Sequence, residues 1–144
     1  MQLPPVLIGR REYVGLPGLH IDEIEAKIDT GAYTSALHCS HIEVHELEGG
    51  QPVICFRVLD QRHPDYSDTL HQTTDFKQKR IRSSNGQIQY RYIICTQVKL
   101  GNLIFDTEFS LTNRAAMRYP LLIGRKALSG RFAVDVTKLH TGGL

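Results

Sequence analysis

Hydrophobic and polar residues alternate along most of this chain with the period of two that marks half-buried strands, and long helical periodicity is absent. In Glu23–Asp29, Ile24, Ala26 and Ile28 interleave with Glu23, Glu25 and Lys27, which predicts a strand running straight into Asp29-Thr30-Gly31. His41–Leu47 repeats the pattern, with Ile42 and Val44 facing one way and His41, Glu43 and His45 the other. Pro52–Leu59 predicts another strand through the apolar Val53–Phe56. Further on, Tyr90, Tyr92, Ile94, Thr96, Val98 and Leu100 share one face, as do Leu103, Phe105, Thr107, Phe109 and Leu111 after Gly101-Asn102. A two-residue Gly-Asn break between such runs predicts a tight hairpin, with Gly where φ must be positive. An apolar strand ending in Gly124-Arg125 and a strand at Arg131–Val136 complete the set, and helix is confined to short pieces at Arg114–Met117 and Arg125–Leu128. Residues 60–80 are polar and rich in turn formers, so a long loop is expected there. The fold class expected is all-β, or mostly β. Leu7-Ile8-Gly9-Arg10 echoes Leu122-Ile123-Gly124-Arg125, too short a match to argue duplication.

Composition narrows the function classes. The chain has 144 residues, 41% hydrophobic and 22% charged, which fits a single soluble domain spanning residues 1–144. Its longest apolar runs, Val53–Phe56 and Tyr92–Cys95, are four residues each, against about 20 for a membrane-spanning helix. Met1-Gln2-Leu3-Pro4-Pro5 lacks the charged start and apolar stretch of a secretion signal. Seventeen basic residues against fifteen acidic give +2, too mild for a dedicated nucleic-acid binder. Cys39, Cys55 and Cys95 have no CxxC spacing; reduced thiols packed in the core and a cytoplasmic location are expected.

Two constellations bear on chemistry. The first is Lys27-Ile28-Asp29-Thr30-Gly31-Ala32-Tyr33-Thr34-Ser35, where a carboxylate sits at the end of a strand and a glycine allows a sharp turn. By itself the tripeptide reads first as an Asp capping a turn. The second places His38, Cys39, His41 and His45 within eight residues. On a regular strand Cys39, His41 and His45 would share a face with Glu43, a loose zinc constellation that reads first as a solvent-facing strand. The HExxH motif is missing, as is any Walker loop, so neither a metal nor a nucleotide cofactor is expected. His20, His63, His71 and His140 are scattered and read as surface residues.

Asp-Thr-Gly-Ala early (Asp29–Ala32) and Tyr119-Pro120-Leu121-Leu122-Ile123-Gly124-Arg125 late, with a hairpin between, resembles the retropepsin-like aspartic peptidases. The match is closer to one bacterial branch, labelled an ATP-dependent zinc protease, whose members occur alone or beside an ATP-grasp ligase that adds glutamates to a ribosomal protein. Asp29–His38 and Leu111–Leu128 look like its two signature blocks, and Ile8–Glu12 and Gly130–Asp135 also fit. The resemblance implies an acid-protease barrel with a flap hairpin and one short helix. It implies an aspartic endopeptidase in which Asp29 is catalytic, Thr30 braces paired loops, and Gly31 frees an N–H for the carboxylates. Ala32 offers no hydroxyl to an ionised carboxylate, so a pH optimum nearer neutrality than in pepsin-like enzymes is expected.

Ser83-Ser84-Asn85-Gly86 is the candidate flap tip and substrate-binding turn, with an ordinary surface hairpin as the alternative. Beside it, Lys77–Arg82 carries four cations in six residues; it reads first as a solvated flank but would attract acidic peptides if it rimmed the cleft. With one Asp-Thr-Gly block, the second Asp is expected from an identical chain in a homodimer. Viral retropepsins pair the late Arg with an acid just after the first block; here Tyr33-Thr34-Ser35 has none, and Arg125 needs another partner. The expected substrate is a peptide or protein tail, with the glutamate ligase or its ribosomal-protein product as partner. A non-catalytic peptide-binding module and a zinc hydrolase using His38, Cys39, His41 and His45 are the alternative readings.

Overall fold

The alternating segments pair into a closed sheet. A computed structural model describes residues 4–64, 66–82, 86–113 and 118–143. Its strands are β1 (Val6–Gly9), β2 (Arg11–Leu16), β3 (Ile21–Ile28), β4 (Ser35–Glu46), β5 (Pro52–Val58), β6 (His71–Thr73), β7 (Phe76–Arg82), β8 (Ile88–Leu100), β9 (Leu103–Thr112), β10 (Leu121–Ile123) and β11 (Phe132–Asp135). The helix α1 (Arg125–Leu128) is as short as the sequence predicts. Strands β10, β3, β2, β8, β9 and β4 run in that order, and β4 pairs back onto β10 to close a six-stranded barrel. The retropepsin-like barrel implied by the sequence is therefore present. Strands β5 and β6 extend the sheet beyond β4, β7 pairs with β8, and β1 pairs in parallel with β11.

Period two explains which side chains fill the barrel. Ile24, Ala26 and Ile28 of β3, Ile94, Val98 and Leu100 of β8, and Phe109 and Leu111 of β9 are all buried in one cluster. The β8–β9 turn is as tight as Gly-Asn predicts, with Leu100 opposite Leu103 and Gly101 at φ +61°. Tyr90 shares the inward parity yet stays exposed, because β8 there leaves the barrel to pair with β7.

Several expectations are corrected. Residues 60–80 are not one loop: they contain β6 and the start of β7. Strand β7 carries no sustained apolar alternation: Lys77–Arg80 are exposed, and Phe76 packs against the core, edge-on to Tyr92. Strands β1 and β2, masked in the sequence by the polar run Arg10-Arg11-Glu12, are also present. Cys39 and Cys55 are buried, but Cys95 is exposed, on the face of β8 opposite Ile94. The short helix expected at Arg114–Met117 lies outside the described residues.

A buried carboxylate fastens the C-terminal segment. Glu12 on β2, only 1% exposed, accepts hydrogen bonds from the Gly9 N–H, the Thr141 N–H and hydroxyl, and the Gly142 N–H at 2.7–3.1 Å. Burial opposes the charge, but these bonds outweigh it and hold the carboxyl below its ordinary value. Gly9 is required by close approach, since a Cβ there would lie 2.4 Å from the Lys138 carbonyl.

Candidate active site

Strand β10 wedges between β3, which it meets in parallel, and β4, which it meets antiparallel. That wedge brings the two sequence blocks together. Ile123 accepts from the Asp29 N–H at 2.8 Å, so the carboxylate emerges where β3 ends against β10. The next residues turn back, with the Ala32 N–H on the Asp29 carbonyl at 3.2 Å and the Gly31 N–H on Asp29 Oδ1 at 3.0 Å. Gly31 is outside the left-handed region; its value lies in space, because a Cβ would sit 3.3 Å from Asp29 Oδ1. Asp29 and Ala32 are half-buried, while Thr30 and Gly31 are exposed.

The late block clamps this loop through backbone. Arg125 N–H donates to the Ala32 carbonyl at 2.8 Å and Lys126 N–H to the Tyr33 carbonyl at 3.0 Å. Gly124 N–H donates to the buried Ser35 hydroxyl at 3.0 Å. Gly124 passes so near that a Cβ would lie 2.7 Å from the Tyr33 carbonyl. Arg125 finds the partner the sequence left open: its guanidinium donates to the Thr30 carbonyl at 2.9 Å and lies 5.8 Å from the Tyr33 ring centre. No carboxylate is needed for that role, since a carbonyl and an aromatic face receive the cation.

Hollows flank the loop. One of about 430 Å³ is lined by Ala32 and Thr34 of the loop together with Lys79, Arg91, Ile93 and Ser110. A second, about 260 Å³, lies between Tyr33, Lys77, Lys79, Glu108 and Lys126. The basic segment therefore rims the space beside Ala32, Tyr33 and Thr34, the residues that follow Asp29-Thr30-Gly31. Glu108 bridges two of its neighbours, Lys77 Nζ at 2.7 Å and Lys126 Nζ. The Lys126 bond first and the Lys77 bond second hold the Glu108 carboxyl below its usual range. Strands β7 and β8 pair from Phe76–Ile94 to Arg82–Ile88, giving the hairpin that the sequence assigns as flap. Of its tip, Ser83, Ser84 and Asn85 lie outside the described residues, and Gly86 stands at φ +85°.

The zinc constellation does not assemble. Strand β4 bulges between Ser40 and Glu43, where it has one residue more than β5, and His41 adopts φ +53°. One extra residue reverses the parity beyond it, so Cys39 and His45 end on opposite faces. Cys39 is fully buried, with its thiol pushed up by burial. His45 bonds Glu43 at 3.0 Å. His38 is buried, with Nε2 2.6 Å from Asp60 Oδ2. That bond first, and the Arg62 N–H second, hold Asp60 down at about 2. Among the described residues no three His, Cys, Asp or Glu side chains are gathered as a metal site. Two other histidines are more than surface residues: His71 stacks on Phe56, and His140 stacks on Tyr13 while bonding Glu25 at 2.6 Å.

Sequence reasoning missed Ser35, Glu12 and Glu108. Ser35 stood within the quoted block, but its role as acceptor for Gly124 depends on β10 docking. Glu108 alternates on β9 like any solvent-facing acid, and only the arrival of β7 and α1 beside it reveals its two lysines.

Residues 7–141 match the family described as the retropepsin-like aspartic endopeptidase RimB. The chain is 33% identical over 129 residues to a probable alpha-L-glutamate ligase of Shewanella halifaxensis, covering 90% of this chain and 28% of that protein. It is 34% identical over 154 residues to a protein of the same name from Parasynechococcus marenigrum, covering 96% of this chain and 29% of the relative. The chain thus spans under a third of the length of these relatives. A crystal structure of Lpg0085 from Legionella pneumophila, a protein of unknown function, superposes with a TM-score of 0.72 at 26% identity, covering 96% of this chain and 99% of that one. Among the described residues no helix is long and apolar enough to cross a membrane.

Proposed function

Because the chain belongs to the retropepsin-like aspartic endopeptidase family, we propose that it hydrolyses peptide bonds with Asp29 as one half of a two-carboxylate site. The observation that carries this reading is the half-exposed Asp29 carboxylate, oriented by the Gly31 N–H and held on a loop clamped by Gly124, Arg125 and Lys126. Two carboxylates held close share one proton, since both cannot ionise comfortably; the handling of peptides by such a dyad is general to aspartic proteases. The ionised member takes a proton from water, and the resulting hydroxide attacks the peptide carbonyl. The protonated member supports the oxyanion and then donates its proton to the leaving nitrogen.

A second copy supplies the second Asp29, with the exposed Thr30 at the contact between loops. The basic hairpin lining the hollows beside the loop favours an acidic peptide or tail. The glutamate-ligase name of the relatives agrees with a substrate carrying added glutamates; a ribosomal-protein tail made by such a ligase is the partner we propose.

Asp29→Asn tests the core of this. With fold and association preserved, cleavage of a glutamate-tailed peptide should be lost by at least about a thousandfold, in line with removal of a unit of catalytic machinery. Undiminished cleavage refutes the assignment. Binding without turnover in both proteins would instead mark a peptide-binding module of the same fold.

A further inference from the structure

Register decides which side chains look into the cleft. Across β7–β8, Lys79 lies opposite Arg91 and Lys77 opposite Ile93; across β8–β9, Ile93 lies opposite Ser110 and Cys95 opposite Glu108. Directly opposed residues share a face, so Lys77, Lys79, Arg91, Ser110 and Glu108 all point to the same side. That side is turned towards Asp29's loop, because Lys79, Arg91 and Ser110 line a hollow with Ala32 and Thr34.

The cations on this face fall into two kinds. Lys77 is paired with Glu108, which also takes Lys126, one lysine on each carboxylate oxygen. Lys79 and Arg91 face each other across the hairpin, and among the described residues no acidic side chain reaches either. Like charges placed directly opposite each other on antiparallel strands destabilise the pairing. An anion seated between them removes that cost, and the guanidinium fork suits a carboxylate better than a point charge would.

We propose that Lys79 and Arg91 form a carboxylate-reading subsite, and that Glu108 withdraws Lys77 and Lys126 from the same task. The pair, not the whole basic strand, is thus specificity-determining. This rests on the reading that the cleft beside Asp29 binds peptides. Lys77 and Lys79 are two residues apart, about 7 Å in a strand, which is also the spacing of same-face side chains in an extended peptide. An acid read by Lys79 and Arg91 therefore has a neighbouring same-face position where a second acid gains little.

The test is binding to the Asp29→Asn chain of 144 residues, so that turnover does not intrude. Three heptapeptides serve as probes: one of Ala and Gln, one with a single Glu, and one with two Glu separated by one residue. At low salt the single Glu should tighten binding about tenfold, and the second should add less than about twofold. Arg91→Gln or Lys79→Gln should abolish the first gain, and Arg91→Lys should restore it in part. In Glu108→Gln the second Glu should add a further gain of about five- to tenfold. Equal affinity for neutral and acidic peptides, no binding of any of them, or a second Glu that gains as much in the Asp29→Asn protein as the first, overturns the subsite. Cleavage by wild type separates the two readings: lost charge preference with intact cleavage sinks only the subsite, and absent cleavage with intact preference sinks only the peptidase.

Discussion

Single side chains at the loop and at the chain's end carry testable energetics. Ser35→Ala leaves the Gly124 N–H without its partner in a buried place. An unsatisfied buried donor costs roughly 1–3 kcal/mol, so chemical denaturation should show a loss in that range, together with weaker peptide turnover. Glu12 makes a pH prediction. Its folded carboxyl titrates below the ordinary 4.5, so its contribution is complete above that value and disappears as pH falls through the lower folded value. Glu12→Gln should flatten the acid side of the stability curve and cost about 2–3 kcal/mol at neutral pH, where a charged acceptor is replaced by a neutral one. A curve of unchanged shape would show that the carboxylate does not hold the Thr141–Gly142 segment. At Ala32, the missing hydroxyl should place the optimum of the proposed peptidase nearer neutrality, and a pH–rate profile peaking below about 3.5 would contradict it.

Elements matter here through what they pin. Strand β10 is only three residues long, yet it closes the barrel and seats Asp29 against Ile123. Its exit is crowded: Gly124→Ala would push a methyl into the Ala32 and Tyr33 carbonyls at 2.9 and 2.7 Å. Overpacking of this kind costs about 1–3 kcal/mol, and the loop should shift with it, so melting temperature and activity should fall together. The hairpin of β7 and β8 behaves differently. Lys77–Arg80 of β7 are exposed, so neutralising Lys79 should leave thermal stability within about 0.5 kcal/mol while weakening capture of acidic peptides. Loss of stability instead would assign the basic strand a structural role.

For the whole molecule, the prediction concerns association. One chain presents one Asp-Thr-Gly block, and a two-fold axis near Asp29 would bring a second carboxylate to it. Activity should then rise with the square of concentration when the chain is dilute, and sedimentation should show a dimer over the same range. A chain that stays monomeric while cleaving at full specific activity contradicts this assembly. Mixing wild type with Asp29→Asn should depress activity beyond simple dilution, because hybrids hold a single native carboxylate.

The amino-acid pattern by itself determined much of the barrel. Periodicity marked β3, β8 and β9, an apolar run marked β5, Gly101-Asn102 marked the tight turn between β8 and β9, and the order of Asp29–Ala32 and Leu121–Arg125 pointed to the family. These features are local, written in neighbours two residues apart or in a few adjacent side chains. What required the tertiary structure was every relation across sequence: Ser35 beneath Gly124, Arg125 on Thr30 and Tyr33, Glu12 on Thr141, and Glu108 between Lys77 and Lys126. The zinc reading of His38–His45 failed for the same reason. A strand's alternation predicts faces only while pairing is regular, and the bulge after Ser40 is set by β4 pairing with β5. Strand β7 is not legible in the sequence because an exposed strand stabilised by backbone pairing needs no apolar stripe. Burial leaves its mark in sequence; long-range hydrogen bonds and charge pairs acquire their partners only when the chain closes on itself.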